Sequence, residues 1–429
     1  MSDTRPAPLT GLKIVEISAF VAAPLGSMTL AQLGADVVRI DPIGGNIDAN
    51  RWPISDDGTS IYWASLNKGK RSVTLDLKSE EGQKIATDLI AEAGTLITNQ
   101  PARGWLSYEN LKQHREDLVM LRLGGWHDGS PAVDYTVNAA SGFPIITGDD
   151  EHPVNNAVPA WDVAAGLYIS NGIMAAELDR RTSGKGQEIT LALSDVMLAT
   201  VGNLGYIAEV QATGKTRGAL GNGLYGAYGQ SFECADGRQV MVVVISNKHW
   251  RGLGKATGLS EKLEMIGPLL DVDLSTEGGR FEARDAIDAV VRPWLAKHSS
   301  EEATRLLGEA GVLVGGFQTF EELVTSDPRC STENPMLTEI DQPGVGRVLA
   351  PRVPLKFSGT PAASALPAPA LGGDAAEVLE SELGLDAAAR DQLGLTGVVY
   401  FGKRSVWQTD DIAEYLSTHI SMVLSHSTV

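Results

Sequence analysis

The chain has 429 residues, 43% of them apolar, and carries a formal net charge of −19, with a sequence pI near 4.8. That is enough chain for two or three domains and enough apolar material for a large core, so global disorder is excluded. The acidic balance excludes a nucleic-acid surface, which needs basic stripes, while local basic clusters remain able to hold an anionic ligand.

Two cysteines, Cys234 and Cys330, lack metal-ligand spacing, imply no disulfide framework and fit a reducing cytoplasm. Residues 1–8 read as a loose tail without the apolar centre of a signal peptide. No run has the length of a membrane span, so the expectation is a soluble intracellular protein without membrane contact.

In chain order, 13–17 reads as a strand. A turn with Pro24 and Gly26 leads to a short helix ending before Gly34, and 36–40 is a second strand. Strand, helix and strand within about thirty residues make a βαβ unit and a parallel sheet. The alternation continues with a strand over 72–77, an amphipathic helix over 80–91, and strands over 95–98 and 118–123. An open, doubly wound α/β sheet of Rossmann-like kind is the predicted architecture. After a helix beginning near Asp162, 187–193 reads as a strand and 194–209 as one helix. Residues 213–230 are glycine-rich and connect domains. A strand over 239–245 and helices over 279–310, broken near Pro293, belong to a smaller α/β domain. The proline-rich 341–372 reads as a long segment without regular structure, followed by short helices over 375–383 and 386–393.

Several motifs fail on context. Gly221-Asn222-Gly223-Leu224-Tyr225-Gly226 matches G-x-G-x-x-G but follows no strand and opens no helix. No serine stands in G-x-S-x-G, and the histidines form no H-E-x-x-H. A basic cluster does stand out: Asn67-Lys68-Gly69-Lys70-Arg71-Ser72 at the start of a strand. It reads either as a phosphate site or as a solvated turn. Arg39, Arg51 and Arg103 fall near predicted strand ends or loops, where ligands of open α/β sheets collect.

Val158-Pro159-Ala160-Trp161-Asp162-Val163-Ala164-Ala165-Gly166 opens the best-punctuated helix in the chain. Arg180-Arg181 sit in its last turn and glycines stop it. Asp162 has two readings. It is an N-cap that accepts the free backbone amides, or it is a nucleophile, kept ionised by the helix terminus and able to attack an activated acyl group.

Taken together, Leu9-Thr10-Gly11-Leu12-Lys13-Ile14-Val15-Glu16, Gly34-Ala35-Asp36-Val37-Val38-Arg39-Ile40, Asn67-Lys68-Gly69-Lys70-Arg71-Ser72-Val73, Asp162 with its helix, Thr182-Ser183-Gly184-Lys185-Gly186-Gln187, and Gly221-Asn222 before Asp236-Gly237 resemble the family III CoA-transferases. The resemblance runs to about residue 399. It implies an enzyme acting on an acyl-CoA, with CoA as part of the substrate and no tightly bound cofactor or metal. It also implies Asp162 as the catalytic carboxylate. CoA contacts are implied at Arg39, Lys68, Lys70, Arg71, Leu75, Lys78 and Arg103. The domains then read as a CoA-binding domain over 1–212, a linker over 213–224, a small domain over 225–330, a return segment over 331–399 and a tail over 400–429. An interlocked homodimer is implied, with 341–372 wrapping the partner.

Further stretches, among them Arg51-Trp52-Pro53, Val133-Asp134-Tyr135-Thr136-Val137-Asn138 and Pro159-Ala160-Trp161-Asp162, are similar to the branch that moves CoA between the C1 and C4 carboxyls of mesaconate. Transfer between two separate dicarboxylic acids and 2-methylacyl-CoA racemisation are the alternatives. Val21 stands where formyl-CoA transferases place a glutamine, and His127 lies too early for the racemases' Gly-His-Asp run, which disfavours both chemistries.

Overall fold

The structure is a computed structural model and describes residues 6–149, 151–360 and 364–401. In chain order the first elements are β1 (Lys13–Ile17), α1 (Ala22–Gln32), β2 (Asp36–Pro42), α2 (Ile61–Leu66), β3 (Arg71–Leu75), α3 (Glu80–Ala93), β4 (Thr95–Thr98), α4 (Tyr108–Leu111), β5 (Val119–Gly124), α5 (Asp134–Ala140), α6 (Phe143–Thr147), α7 (Ala160–Ser183) and β6 (Gln187–Ala192). They continue as α8 (Leu193–Asn203), α9 (Tyr206–Thr213), β7 (Tyr228–Glu233), β8 (Gln239–Val244), α10 (Asn247–Thr257), α11 (Ser260–Leu270), α12 (Glu277–Glu282), α13 (Arg284–Leu295) and α14 (Ser300–Glu309). The last are β9 (Leu313–Gly316), α15 (Phe320–Ser326), β10 (Leu337–Gln342), β11 (Gly346–Pro351), α16 (Ala375–Leu383), α17 (Ala387–Leu395) and β12 (Val399–Tyr400).

Two units divide the described residues. The first holds those up to 137, 157–206 and 328 onward; the second holds 138–156 and 207–327. In the first unit a seven-stranded sheet runs β12-β3-β2-β1-β4-β5-β6. β1 to β6 are parallel, and β12 joins β3 antiparallel at the edge. The central strands are buried on both faces because helices cover both; one face is apolar, and the other carries Glu16 of β1 and Arg39 and Asp41 of β2. Val15, Val38, Val73, Leu96 and Met120 pack with Leu89 and Ile90 of α3, and Val378 and Leu379 of α16 complete that core. The α/β architecture is as expected.

The strand order reverses between β1 and β4, and ligands of such sheets bind in the crevice at that switch point. Asn99, just past β4, clasps the chain just past β1: its Oδ1 accepts from Ala19 N (3.1 Å) and its Nδ2 donates to Ala19 O (2.8 Å).

Two glycines bring α1 against α7. A Cβ on Gly166 would stand 2.9 Å from Ala22 O, and one on Gly26 would stand 2.7 Å from Ile169 Cγ2. Only bare backbone fits at both, so the start of α1 lies beside the first turns of α7.

The second unit packs helices on the antiparallel sheet β7-β8-β9, with Tyr228, Phe232, Val240, Val242, Leu253, Ile287, Val291 and Leu307 in its core.

Three local expectations change. The helix expected over 194–209 is two, parted at Gly205 (φ +86°). α13 runs through Pro293 and ends at Leu295. The segment 341–372 contains most of the β10–β11 hairpin. Its prolines stand in the turn (Pro343) and at the strand end (Pro351), where no ladder N–H is lost. Residues 402–429 of the expected tail lie outside the described residues. Among the described residues no helix is long and apolar enough to cross a membrane.

Candidate active site at Asp162

Asp162 is the third residue of α7. Pro159 stands at the N-cap and has no side chain to cap with. The free amides of the first turn are met from elsewhere: Asp134, at the start of α5, accepts from Trp161 N (2.7 Å) and Asp162 N (3.0 Å) through one oxygen, Oδ2. The capping role therefore belongs to Asp134. The Asp162 carboxylate accepts no hydrogen bond from the described residues, which leaves it available for chemistry.

Its acidity differs from the expectation of a low, helix-stabilised pKa. Burial pushes the Asp162 carboxyl up to about 7, the Asp134 charge adds to that, and Arg51 opposes it. Desolvation and a second carboxyl outweigh the helix terminus. The result is a carboxyl that is both ionised and protonated near neutral pH.

Around it lie Arg51, Tyr62 and Phe20. The Arg51 guanidinium sits over the Tyr62 ring at 4.9 Å and over the Phe20 ring at 5.7 Å. The Tyr62 hydroxyl is raised mainly by burial and feels both Arg51 and Asp162. Beneath, Arg39 is fully buried. It makes 2.8 and 2.9 Å bonds to Asp41, and its other donors go to Glu16, Asp48, Asn67 and Ser18 O. Lys70 Nζ bonds Glu16 (2.6 Å), Asn67 Oδ1 (2.8 Å) and Pro24 O (2.9 Å). Burial alone would raise the Glu16 carboxyl, but Lys70 and Arg39 beside it hold it at about 2.

The sequence pattern described as CoA-transferase family III matches residues 9–375. The chain belongs to that family. It is 48% identical over 398 residues to 2-methylfumaryl-CoA isomerase of Chloroflexus aurantiacus (strain ATCC 29366 / DSM 635 / J-10-fl), covering 91% of this chain and 97% of the relative. It is 28% identical over 391 residues to succinyl-CoA:mesaconate CoA-transferase of Haloarcula hispanica, covering 87% and 96%. A crystal structure of a CAIB/BAIF family protein from Brucella suis superposes with a TM-score of 0.74 at 26% identity, over 87% of this chain and 99% of that one. This family III chain is an enzyme of the CoA-transferase and isomerase type, acting on an acyl-CoA.

The residues expected to touch CoA are scattered. Lys78 and Arg103 are exposed. The Leu75 side chain lies in the core, so a ligand contact there comes from main chain. Lys68 is buried with its ammonium on Ser65 O, and burial lowers it to about 8. Arg71 pairs with Asp36 and Glu382 (2.5 and 2.9 Å). The Lys68–Arg71 cluster is thus no solvent-facing grip: Gly69 (φ +75°) turns the chain, and Lys70 passes inward to Glu16. Asp134, Phe20 and Tyr62 had no local signal marking a role. Arg51 had one, its place near a predicted strand end or loop.

Proposed function

We propose that this chain moves CoA between the C1 and C4 carboxyls of mesaconate (2-methylfumarate) through a covalent intermediate on Asp162. The observation that carries the reading is the Asp162 carboxyl, relieved of capping by Asp134 and free of hydrogen bonds from the described residues. The identity to 2-methylfumaryl-CoA isomerase supports the substrate.

Mesaconate holds its carboxyls trans across a double bond, so neither reaches the other and an outside carboxylate must relay the acyl activation. Asp162 attacks the thioester carbonyl, the C–S bond breaks and CoA thiolate leaves, giving a mixed anhydride. The thiolate attacks the aspartyl carbonyl, releasing a mesaconate carboxylate and leaving an enzyme thioester. The second mesaconate carboxylate attacks that thioester and expels the thiolate. The thiolate then attacks the substrate carbonyl of the new anhydride, and Asp162 leaves as carboxylate. A carboxylate of pKa near 7 is more basic, and so more nucleophilic, than an ordinary one, yet about half ionised at neutral pH. Water must be kept from both the anhydride and the thioester.

Incubation with mesaconyl-CoA esterified at C1 should yield the C4 ester, separated by chromatography with mass detection. Hydroxylamine should convert Asp162 to a hydroxamate only when substrate is present. Turnover that persists in Asp162→Ala would remove the reading. The 28% relative acts between two acids by name, which makes intermolecular transfer the second reading. Within the proposal, Lys78 and Arg103 meet the CoA phosphates, and two copies of the chain associate. The exposed Leu167, Leu178 and Leu198 of α7 and α8 support the second point. Sedimentation showing monomer alone would remove it.

A further inference from the structure

We propose that Arg51 binds the substrate carboxylate that is not engaged with Asp162, and so selects a dicarboxylic monothioester over a monocarboxylic one. This rests on the reading of Asp162 as the acyl acceptor.

The guanidinium is held, but its donors are unused. The backbone of Arg51 is pinned on both sides: its N–H donates to Asp48 O (3.2 Å), and its carbonyl accepts from Ser60 Oγ (2.6 Å), the residue that caps α2. The side chain lies over Tyr62 and Phe20. Aromatic faces orient a guanidinium without occupying its N–H groups. Arg51 makes no hydrogen bond through its side chain and no ion pair among the described residues. Arg39, twelve positions earlier, shows the contrast: its side chain meets three carboxylates, an amide and a carbonyl, and it is sealed from solvent. One arginine is built into the fold and the other faces outward.

The support under Arg51 is strained for a purpose. Phe20 adopts φ +70°, a left-handed conformation that is strained for a bulky residue. The strain is fixed from below: Phe20 N donates to Asp48 Oδ2 (3.1 Å), and Asn99 clasps Ala19. It places the ring at the switch point between β1 and β4, beside the first turns of α7. Arg51 and Asp162 do not form an ion pair, yet the cation lowers the Asp162 pKa. A nucleophilic carboxylate and a nearby cation that does not pair with it match the two ends of a diacid. In the relay, the two carboxyls exchange roles. A single cation that holds whichever is idle keeps the diacid in the site while it is bonded to neither Asp162 nor CoA.

The test compares Arg51→Gln and Arg51→Lys with the parent enzyme. Mesaconyl-CoA turnover is measured, with methacrylyl-CoA, which lacks the second carboxylate, as competing inhibitor. Unfolding midpoints check that the variants fold. Arg51→Gln should raise KM for mesaconyl-CoA by roughly 10- to 100-fold, the weight of a charge-assisted pair, and leave methacrylyl-CoA inhibition within about twofold, as neutral contacts persist. It should also release free mesaconate during turnover, and Arg51→Lys should recover part of the KM. An unchanged KM, or equal weakening of both thioesters, would overturn the assignment. Asp162→Ala is run alongside: activity surviving there defeats the acyl-acceptor reading, whereas its loss together with an unchanged KM in Arg51→Gln defeats the Arg51 assignment alone.

Discussion

Replacing Asp162 with Asn should abolish turnover and, above neutral pH, make the protein more stable. The folded Asp162 carboxyl is carried from its ordinary 3.8 up to about 7 by burial and by Asp134. Between about pH 4 and pH 7 the folded chain therefore keeps a proton that the unfolded chain has released. Stability falls with rising pH across that window and stays lowered above it. At about 1.4 kcal/mol for each tenfold change in proton affinity, ionising the folded carboxyl costs roughly 4 kcal/mol. Solvent reaching this half-buried group screens that toward about 2 kcal/mol. Asparagine has the same shape and no charge, and no hydrogen bond from the described residues is lost. Calorimetric unfolding of parent and Asp162→Asn from pH 4 to pH 8.5 should show the variant's advantage growing with pH and nearly vanishing at pH 4. A variant equal to or less stable than the parent at pH 8.5 would refute the argument that the site holds this carboxylate against its solvation.

In the parent, turnover should rise with pH through about 7 as Asp162 ionises, and Asp134→Asn, which removes the neighbouring charge but keeps an acceptor for the α7 amides, should move that limb to lower pH in a pH–rate profile. Lys70→Met leaves Glu16 buried without its 2.6 Å partner and should cost about 3–5 kcal/mol in denaturant unfolding, as breaking a buried pair does. Gly166→Ala drives a Cβ to 2.9 Å from Ala22 O, and should destabilise by about 1–3 kcal/mol while lowering activity by displacing α7.

What could be read from the sequence follows the range of each interaction. β1, β2 and β4 were legible from their short, β-branched-rich apolar stretches, although Glu16, Arg39 and Asp41 interrupt the first two, and α3 because Ser79 caps it and Gly94 (φ +68°) ends it. The start of α7 was legible from Pro159 and its end from Gly184. The cap was not: Asp134 is 28 residues upstream of the amide it satisfies, and no local pattern encodes that distance. The acidity of Asp162 was misjudged for the same reason, since the helix terminus is local and burial is tertiary. In the Lys68–Arg71 cluster the charge was visible and its direction was not; Lys70 turns inward only because Glu16 and Pro24 wait there. The β10–β11 hairpin was hidden by prolines that the fold confines to a turn and a strand end.

The central claim is that Asp162 relays CoA within one molecule of diacid. Parent enzyme incubated with unlabelled C1 mesaconyl-CoA and isotope-labelled free mesaconate tests it most directly. The account predicts C4 ester without label, and none in Asp162→Ala. Labelled C4 ester would show that the diacid leaves and re-enters, and would contradict it.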